Sequence, residues 1–185
     1  MRARVTTLVA IGTLLGTLAF ISTAAGSATT PTVPKCSTGA LSMSVGPLDG
    51  TVGTFYYPLV FTNDTTKSCT LAGTPNVRAD TAINSMGGPL VGRPARVVNN
   101  ARTGYGRVVV LAPRGHASAN YGVVDTGNYP VAMCYPKTAQ SVSVNLQGRM
   151  YWAKLRFTVC TTTASTTISG VVPGRTGLVS ARNAG

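Results

Sequence analysis

The chain has 185 residues, of which 44% are hydrophobic; this is enough for one β domain with a core, but not comfortably for two. Its 16 Lys and Arg outnumber 4 acidic residues, all Asp, and the resulting formal net charge of +12 favours contact with anionic surfaces. Four dispersed aspartates do not suggest a paired-carboxylate glycosidase, and four widely spaced cysteines with a single histidine lack the spacing of a zinc site.

The first 28 residues have the layout of a secretory signal peptide. Arg2 and Arg4 precede a long stretch of apolar and small residues, and further small residues follow it. We predict cleavage after Ala25 or Ala28; the alternative is an uncleaved membrane anchor, although the apolar run barely reaches spanning length. Because an exported chain enters an oxidising compartment, the four cysteines are predicted to form two disulfides, for which the sequence alone permits three connectivities.

The remaining chain is predicted to form one domain, with a flexible lead-in at 29–35 and the domain itself at 36–172. Residues 40–45 alternate strictly between apolar and polar, as a half-buried strand does. The next strand places four apolar side chains on one face, namely Phe55, Tyr57, Leu59 and Phe61. Pro58 interrupts this strand, and because proline cannot donate to a sheet ladder we expect it at an edge or a bulge.

The later segments also contain short apolar stretches that predict strands. Residues 91–107 are predicted to form irregular loops, and the apolar run at 107–112 a strand covered on both faces. Further strands are predicted at 76–82, 116–124, 131–134, 141–146, 155–160 and 168–172. Roughly eight or nine short strands at this spacing indicate a β-sandwich. A flexible tail is predicted at 173–185.

Several short motifs occur in the order found in a known family. They are Phe61-Thr-Asn63, Cys69-Thr-Leu-x-Gly-x-Pro75, Gly92-x-Pro94, a V-V-L-x-P-x-G-x-A turn at 109–117, Cys134-x-Pro136 and Val159-Cys160. Over about residues 36–172 the chain resembles the secreted actinobacterial family called domain of unknown function 4232. The resemblance implies an extracytoplasmic immunoglobulin-like β-sandwich, and it carries no activity. It also implies the pairs Cys36–Cys69 and Cys134–Cys160, whereas Pro58 departs from the family pattern.

Catalytic groups are sparse in this sequence. A Ser-His-Asp site would need His116, which lies at the start of a predicted strand, and no G-x-S-x-G elbow is present to place a nucleophile. Thiol catalysis is lost if all four cysteines are bridged. We therefore predict a protein that is not an enzyme and that uses no metal or cofactor. The alternatives are a hydrolase centred on His116 and a small-ligand binder whose pocket between the sheets is lined by Tyr and Trp.

Five arginines lie between positions 93 and 114, a segment without any acidic residue: Arg93, Arg96, Arg102, Arg107 and Arg114. They form either an anion-binding patch, with guanidinium forks that suit phosphate and carboxylate, or an ordinary solvated surface. No nucleic-acid motif accompanies them, and interleaved aromatic residues are few. Tyr151-Trp152 is predicted to pack in the core or at an edge, with an exposed contact as the alternative. The sequon at Asn63 is interpreted as an Asx turn.

Together these observations predict a secreted, non-enzymatic binding or structural module of the cell envelope. The expected partners are anionic envelope polymers that contact the loop arginines, without specific nucleic-acid binding and without a membrane span once the signal peptide is removed. The oligomeric state and the biological role do not follow from the sequence.

Overall fold

The computed structural model describes residues 32–82, 88–99 and 106–178. The predicted signal peptide, Arg102 and residues 179–185 lie outside this part of the chain. The described residues are mostly strand, in sheets that are largely antiparallel, which confirms the all-β prediction. None of their helices has the length and apolar character needed to cross a membrane. The immunoglobulin-like type of sandwich stays a prediction.

Thirteen strands, one 3-10 turn and one α-helical turn make up the regular structure of the described residues. The strands are β1 Leu41–Val45, β2 Asp49–Thr51, β3 Thr54–Asn63, β4 Cys69–Leu71, β5 Asn76–Asp80, β6 Leu90–Val91, β7 Arg96–Val97, β8 Val109–Leu111, β9 His116–Val124, β10 Pro136–Leu146, β11 Arg149–Cys160, β12 Thr166–Ile168 and β13 Val172–Pro173. A 3-10 turn at Thr126–Asn128 precedes the helical turn α1, Val131–Cys134. The strands outnumber the prediction because segments expected to be loops contain strands of only two or three residues.

Three sheets contain these strands. The largest has the order β1-β3-β9-β12-β7, with β2 also beside β3 and β13 also beside β9. A four-stranded sheet has the order β11-β10-β5-β6, and β4 pairs with β8 in a two-stranded sheet. Every pair is antiparallel except β7 with β12.

The core lies between the two larger sheets. The alternate residues of β9 from Ala117 to Val123 are buried, but the residues between them are buried as well, so β9 is covered on both faces. Aromatic rings join the sheets: Tyr57 and Tyr121 contact Phe157, and Phe61 meets Tyr151 edge to face at a centroid distance of 5.5 Å. Burying a large apolar side chain stabilises a fold by about 1.5–3 kcal/mol, so these contacts are a main source of cohesion.

Two disulfides confirm the pairing that the family resemblance implies. Cys36–Cys69 joins the first residue of the predicted domain to β4, and Cys134–Cys160 joins α1 to the end of β11. No described cysteine is free. The lead-in is further held by backbone hydrogen bonds between Pro34, Cys36 and Thr70.

Pro58 lies inside a central strand, not at an edge or a bulge as predicted. It pairs with Asn120 of β9 on one side of β3. On the other side the partner strand changes, because β1 ends at Val45 opposite Leu59 and β2 begins at Asp49 opposite Tyr56. The Pro58 carbonyl accepts from Gly46 on that side, where the N atom of the same residue also points. The missing N–H therefore falls in the gap between two partner strands and costs no ladder bond.

Two predicted strands differ in the structure. Residues 131–134 form a helical turn closed by the bond from the Tyr135 N–H to the Val131 carbonyl, because four apolar residues are too few for periodicity to separate strand from helix. The run at 107–112 is not covered on both faces. Its strand β8 pairs only with β4, so Val109 and Leu111 are buried whereas Val110 is 59% exposed.

The first part of the predicted flexible tail is bound to β9. The Gly174 N–H donates to the His116 carbonyl, and the Ser118 hydroxyl donates to the Gly174 carbonyl. The Gly177 N–H in turn donates to the Ser118 hydroxyl. Residues 174–178 are thus part of the folded domain, which the sequence did not indicate because this Gly- and Arg-rich segment has no apolar alternation.

Gly92→Ala is expected to lower the free energy of unfolding by at least about 2 kcal/mol. Gly92 has φ +70°, and a Cβ there would lie 2.5 Å from the Cys160 carbonyl oxygen. Both the left-handed backbone and the clash oppose alanine. Gly148→Ala is the matched control, because Gly148 has φ +79° but open space around its Cβ position. Denaturant unfolding of both variants isolates the clash; equal losses would contradict it.

Candidate functional site

His116 and Arg175 form the centre of a basic cluster at one end of β9. The Arg175 Nη1 lies 3.3 Å from His116 Nε2, and Thr62 Oγ1 lies 3.0 Å from His116 Nδ1. Because a guanidinium can only donate, Nε2 is the acceptor, which places the imidazole hydrogen on Nδ1 and directs it to the Thr62 hydroxyl. His116 therefore orients the Arg175 side chain, whose backbone is held by the Gly174 and Gly177 bonds.

Two further cations lie at this end. Arg114 belongs to the turn that leads into β9, and its N–H donates to the Asn63 carbonyl. Lys67 follows the same end of β3, where its carbonyl accepts from the Asn63 side chain. We call Lys67, Arg114, His116 and Arg175 the basic end. All three of its Lys and Arg side chains are exposed.

One acidic residue accompanies the basic end. Arg114 Nη1 lies 3.6 Å from Asp64 Oδ1, and this is the single salt bridge among the described residues. The Arg114 side chain is 80% exposed, so the pair is screened by water and holds the guanidinium only weakly. The end keeps an excess of positive charge, with exposed donors that suit a phosphate or carboxylate group.

The other predicted arginines of the described chain lie on separate elements. Arg93 follows β6 in the four-stranded sheet, whereas Arg96 belongs to β7 in the largest sheet. Arg107 precedes β8, and Arg114 follows the opposite end of that strand. All four are exposed. Of this group the structure brings Arg114 into the basic end, together with Arg175 and Lys67, which the sequence did not single out.

The surroundings of His116 do not form a catalytic triad with any described residue. In a triad one ring nitrogen faces the nucleophile and the other an acid. Here the second nitrogen faces the cationic Arg175 and not an acid. The nearest serine along β9, Ser118, uses its hydroxyl to bind the Gly174 carbonyl and the Gly177 N–H.

Tyr151 and Trp152 point to opposite faces of β11. Tyr151 is buried against Phe61 in the core, whereas Trp152 is half-buried on the outer face of the four-stranded sheet, opposite Ser143. Trp152 therefore does not line the space between the sheets, where the small-ligand hypothesis would need it.

Asp80 is a buried acid on the same outer face. Its side chain receives a hydrogen bond from Ser143 and lies near Arg78, yet burial dominates and raises the pKa of its carboxyl group. Of the four aspartates Asp80 is buried and Asp64 is paired with Arg114, whereas Asp49 and Asp125 are exposed, so the exposed lysines and arginines still outnumber the exposed acids.

Comparison with known proteins confirms the family resemblance. No curated protein and no solved structure matches the chain. The family model described as a domain of unknown function, DUF4232, matches residues 36–176, a span that reaches past β13 and includes Arg175. The match covers most of the chain, so this protein belongs to the DUF4232 family.

Proposed function

We propose that this protein is a secreted, non-enzymatic module of the cell envelope that binds anionic polymers through exposed basic side chains. The observation that carries the proposal is the basic end, where Arg114 and Arg175 are exposed and His116 orients the second guanidinium. Two disulfides and a domain without a membrane-crossing helix in its described part are compatible with an extracytoplasmic location.

The charge balance supports the same function. The chain has a formal net charge of +12, and a field of this sign concentrates polyanions near the surface. Arginine is suited to the contact itself, because its planar fork makes paired hydrogen bonds to phosphate or carboxylate oxygens. Contacts of this kind weaken when salt screens the charges, and this dependence separates them from apolar binding.

Binding of the purified protein to polyphosphate tests the proposal. We expect binding at 25 mM NaCl that weakens about tenfold or more at 150 mM, and no binding to neutral dextran. Arg114→Gln/Arg175→Gln is expected to weaken the low-salt affinity about tenfold, consistent with the loss of two charge-assisted contacts. Isothermal titration calorimetry measures both effects.

Arg93→Gln/Arg96→Gln is the matched control, since it removes the same charge from a different part of the surface. A smaller loss for this pair supports the basic end as the binding site, whereas an equal or larger loss contradicts that assignment. Absence of binding, or binding that salt does not change, would overturn the proposed function as a whole.

A further inference from the structure

The outer face of the four-stranded sheet combines an aromatic side chain with regularly spaced polar ones. The ladders place Arg78, Ser143 and Trp152 in one row across β5, β10 and β11. The neighbouring rows are Asp80, Ser141 and Lys154 on one side and Asn76, Asn145 and Met150 on the other. Side chains in these rows share one face because alternate strand residues point the same way.

The longer side chains of this face are accessible to solvent, and shorter buried side chains lie beneath them. Arg78, Asn145 and Lys154 are exposed, and Trp152 is half-buried beside Lys154 on β11. Beneath these longer side chains Ser143 is buried and hydrogen-bonded to Asp80. The serine and the carboxylate fix the floor of the face, while the cations, the amides and the indole meet the solvent.

Two polar atoms on this face have no partner. Within the described residues, the buried side-chain atoms without a hydrogen bond include Asp80 Oδ2 and Trp152 Nε1. Asp80 is 1% exposed. A buried polar atom without a partner is costly, so each of these two atoms calls for an explanation. This face therefore has unused hydrogen-bonding capacity beside its aromatic ring.

The spacing of the two cations limits the ligand. Arg78 and Lys154 are two strands and two residues apart, which separates their Cα atoms by roughly 12 Å. A linear ligand that reaches both must be extended and must carry negative charge at intervals. The flat indole of Trp152, next to Lys154 on β11, favours a ligand with apolar ring faces, and the amides of Asn76 and Asn145 favour one rich in hydroxyl groups.

We propose that the outer face of the four-stranded sheet binds an acidic polysaccharide. One sugar ring lies against the Trp152 indole, the hydroxyl groups bond to Asn76 and Asn145, and carboxylates on neighbouring sugars pair with Arg78 and Lys154. This inference goes beyond the proposed function, because the outer face is a second surface, separate from the basic end, and it recognises sugar rings as well as charge.

Intrinsic fluorescence tests the inference directly, because Trp152 is the only tryptophan in the chain. Titration with oligogalacturonate, a carboxylated sugar chain, is expected to change the tryptophan emission saturably. Maltohexaose, which lacks carboxylates, is expected to bind at least tenfold more weakly. Polyphosphate, which has charge without sugar rings, is expected to leave the emission unchanged even where calorimetry shows that it binds. Unchanged emission with oligogalacturonate, or equal binding of maltohexaose, would overturn the inference.

Variants separate the outer face from the basic end. Trp152→Ala is expected to weaken oligogalacturonate binding at least tenfold by calorimetry, and Tyr135→Ala, which removes an exposed aromatic side chain elsewhere, is expected to leave it unchanged. Arg78→Gln/Lys154→Gln alters only exposed side chains and is expected to cause a similar tenfold loss, which keeps the test valid if Trp152→Ala does not fold.

Arg114→Gln/Arg175→Gln is expected to leave oligogalacturonate binding intact. Full binding by the Arg78/Lys154 variant, or loss only in the basic-end variant, would contradict the assignment.

Discussion

Asn63→Asp is expected to lower the free energy of unfolding by about 4 kcal/mol or more. The Asn63 side chain is fully buried, and its Nδ2 lies 2.9 Å from the Lys67 carbonyl, 3.1 Å from that of Leu111 and 3.2 Å from that of Ala112. An aspartate would turn a carboxylate oxygen toward three carbonyl oxygens. The change thus removes the bonds between β3, the following turn and β8 and adds a buried charge without a partner. Urea unfolding with intact disulfides measures the loss.

Asn63→Ala separates the lost bonds from the added charge. It leaves the three carbonyls without the amide donor but brings no charge, so we expect a loss of about 2–3 kcal/mol, between wild type and Asn63→Asp. Asn128→Asp is the matched control, because Asn128 makes one exposed bond to the Gly53 carbonyl and should cost less than about 1 kcal/mol. An Asn63→Asp protein within 1 kcal/mol of wild type would refute this role for Asn63.

The role of Asn63 shows how far a local motif predicts structure. The Asx turn expected from the sequon is confirmed, since Asn63 Oδ1 accepts from the N–H and the hydroxyl of Thr65. The bonds to Leu111 and Ala112 are not local, because those residues are nearly 50 positions away. The bonds to Thr65 form within the turn motif itself, so the motif predicts them. The bonds to Leu111 and Ala112 form only when distant strands pair, so no local motif predicts them.

The strands show the same difference between features set by local sequence and features set by distant residues. Alternation predicted which side chains of β9 share a face, because this depends only on whether a position is odd or even within the strand, but it did not predict that both faces are buried. It failed for Val131–Cys134, where an apolar run too short to show a period forms a helical turn. The prediction for Pro58 was wrong because its position depends on where β1 ends and β2 begins along the other side of β3.

The basic end was only partly predictable for a related reason. Arg114 belonged to a conspicuous run of arginines, but His116 contacts Thr62 at a separation of 54 residues and Arg175 at 59. No sequence pattern links these positions, and the Gly-rich segment around Arg175 resembled a tail. The outer face was hidden in the same way, since Arg78 and Trp152 meet only through their common partner Ser143.

Removal of the second disulfide, in Cys134→Ala/Cys160→Ala, is expected to lower the free energy of unfolding by about 3.5 kcal/mol or more. The bridge spans 26 residues, and the chain-entropy cost of closing such a loop in the unfolded state gives this figure. Both sulfurs are also in buried residues, so their loss leaves small cavities that add to the cost. Guanidinium unfolding under non-reducing conditions measures the effect.

Cys36→Ala/Cys69→Ala provides the comparison. Its bridge spans 33 residues, so the entropic cost is nearly the same, but Cys36 is only half-buried and its loss disturbs less packing. We therefore expect the Cys134/Cys160 variant to be the less stable of the two by about 1 kcal/mol. The order should hold although α1 keeps other bonds to the end of β11, such as that from the Thr161 N–H to the Cys134 carbonyl. A Cys134/Cys160 variant that loses less than 1 kcal/mol would show that these backbone bonds, and not the bridge, hold that end of the domain.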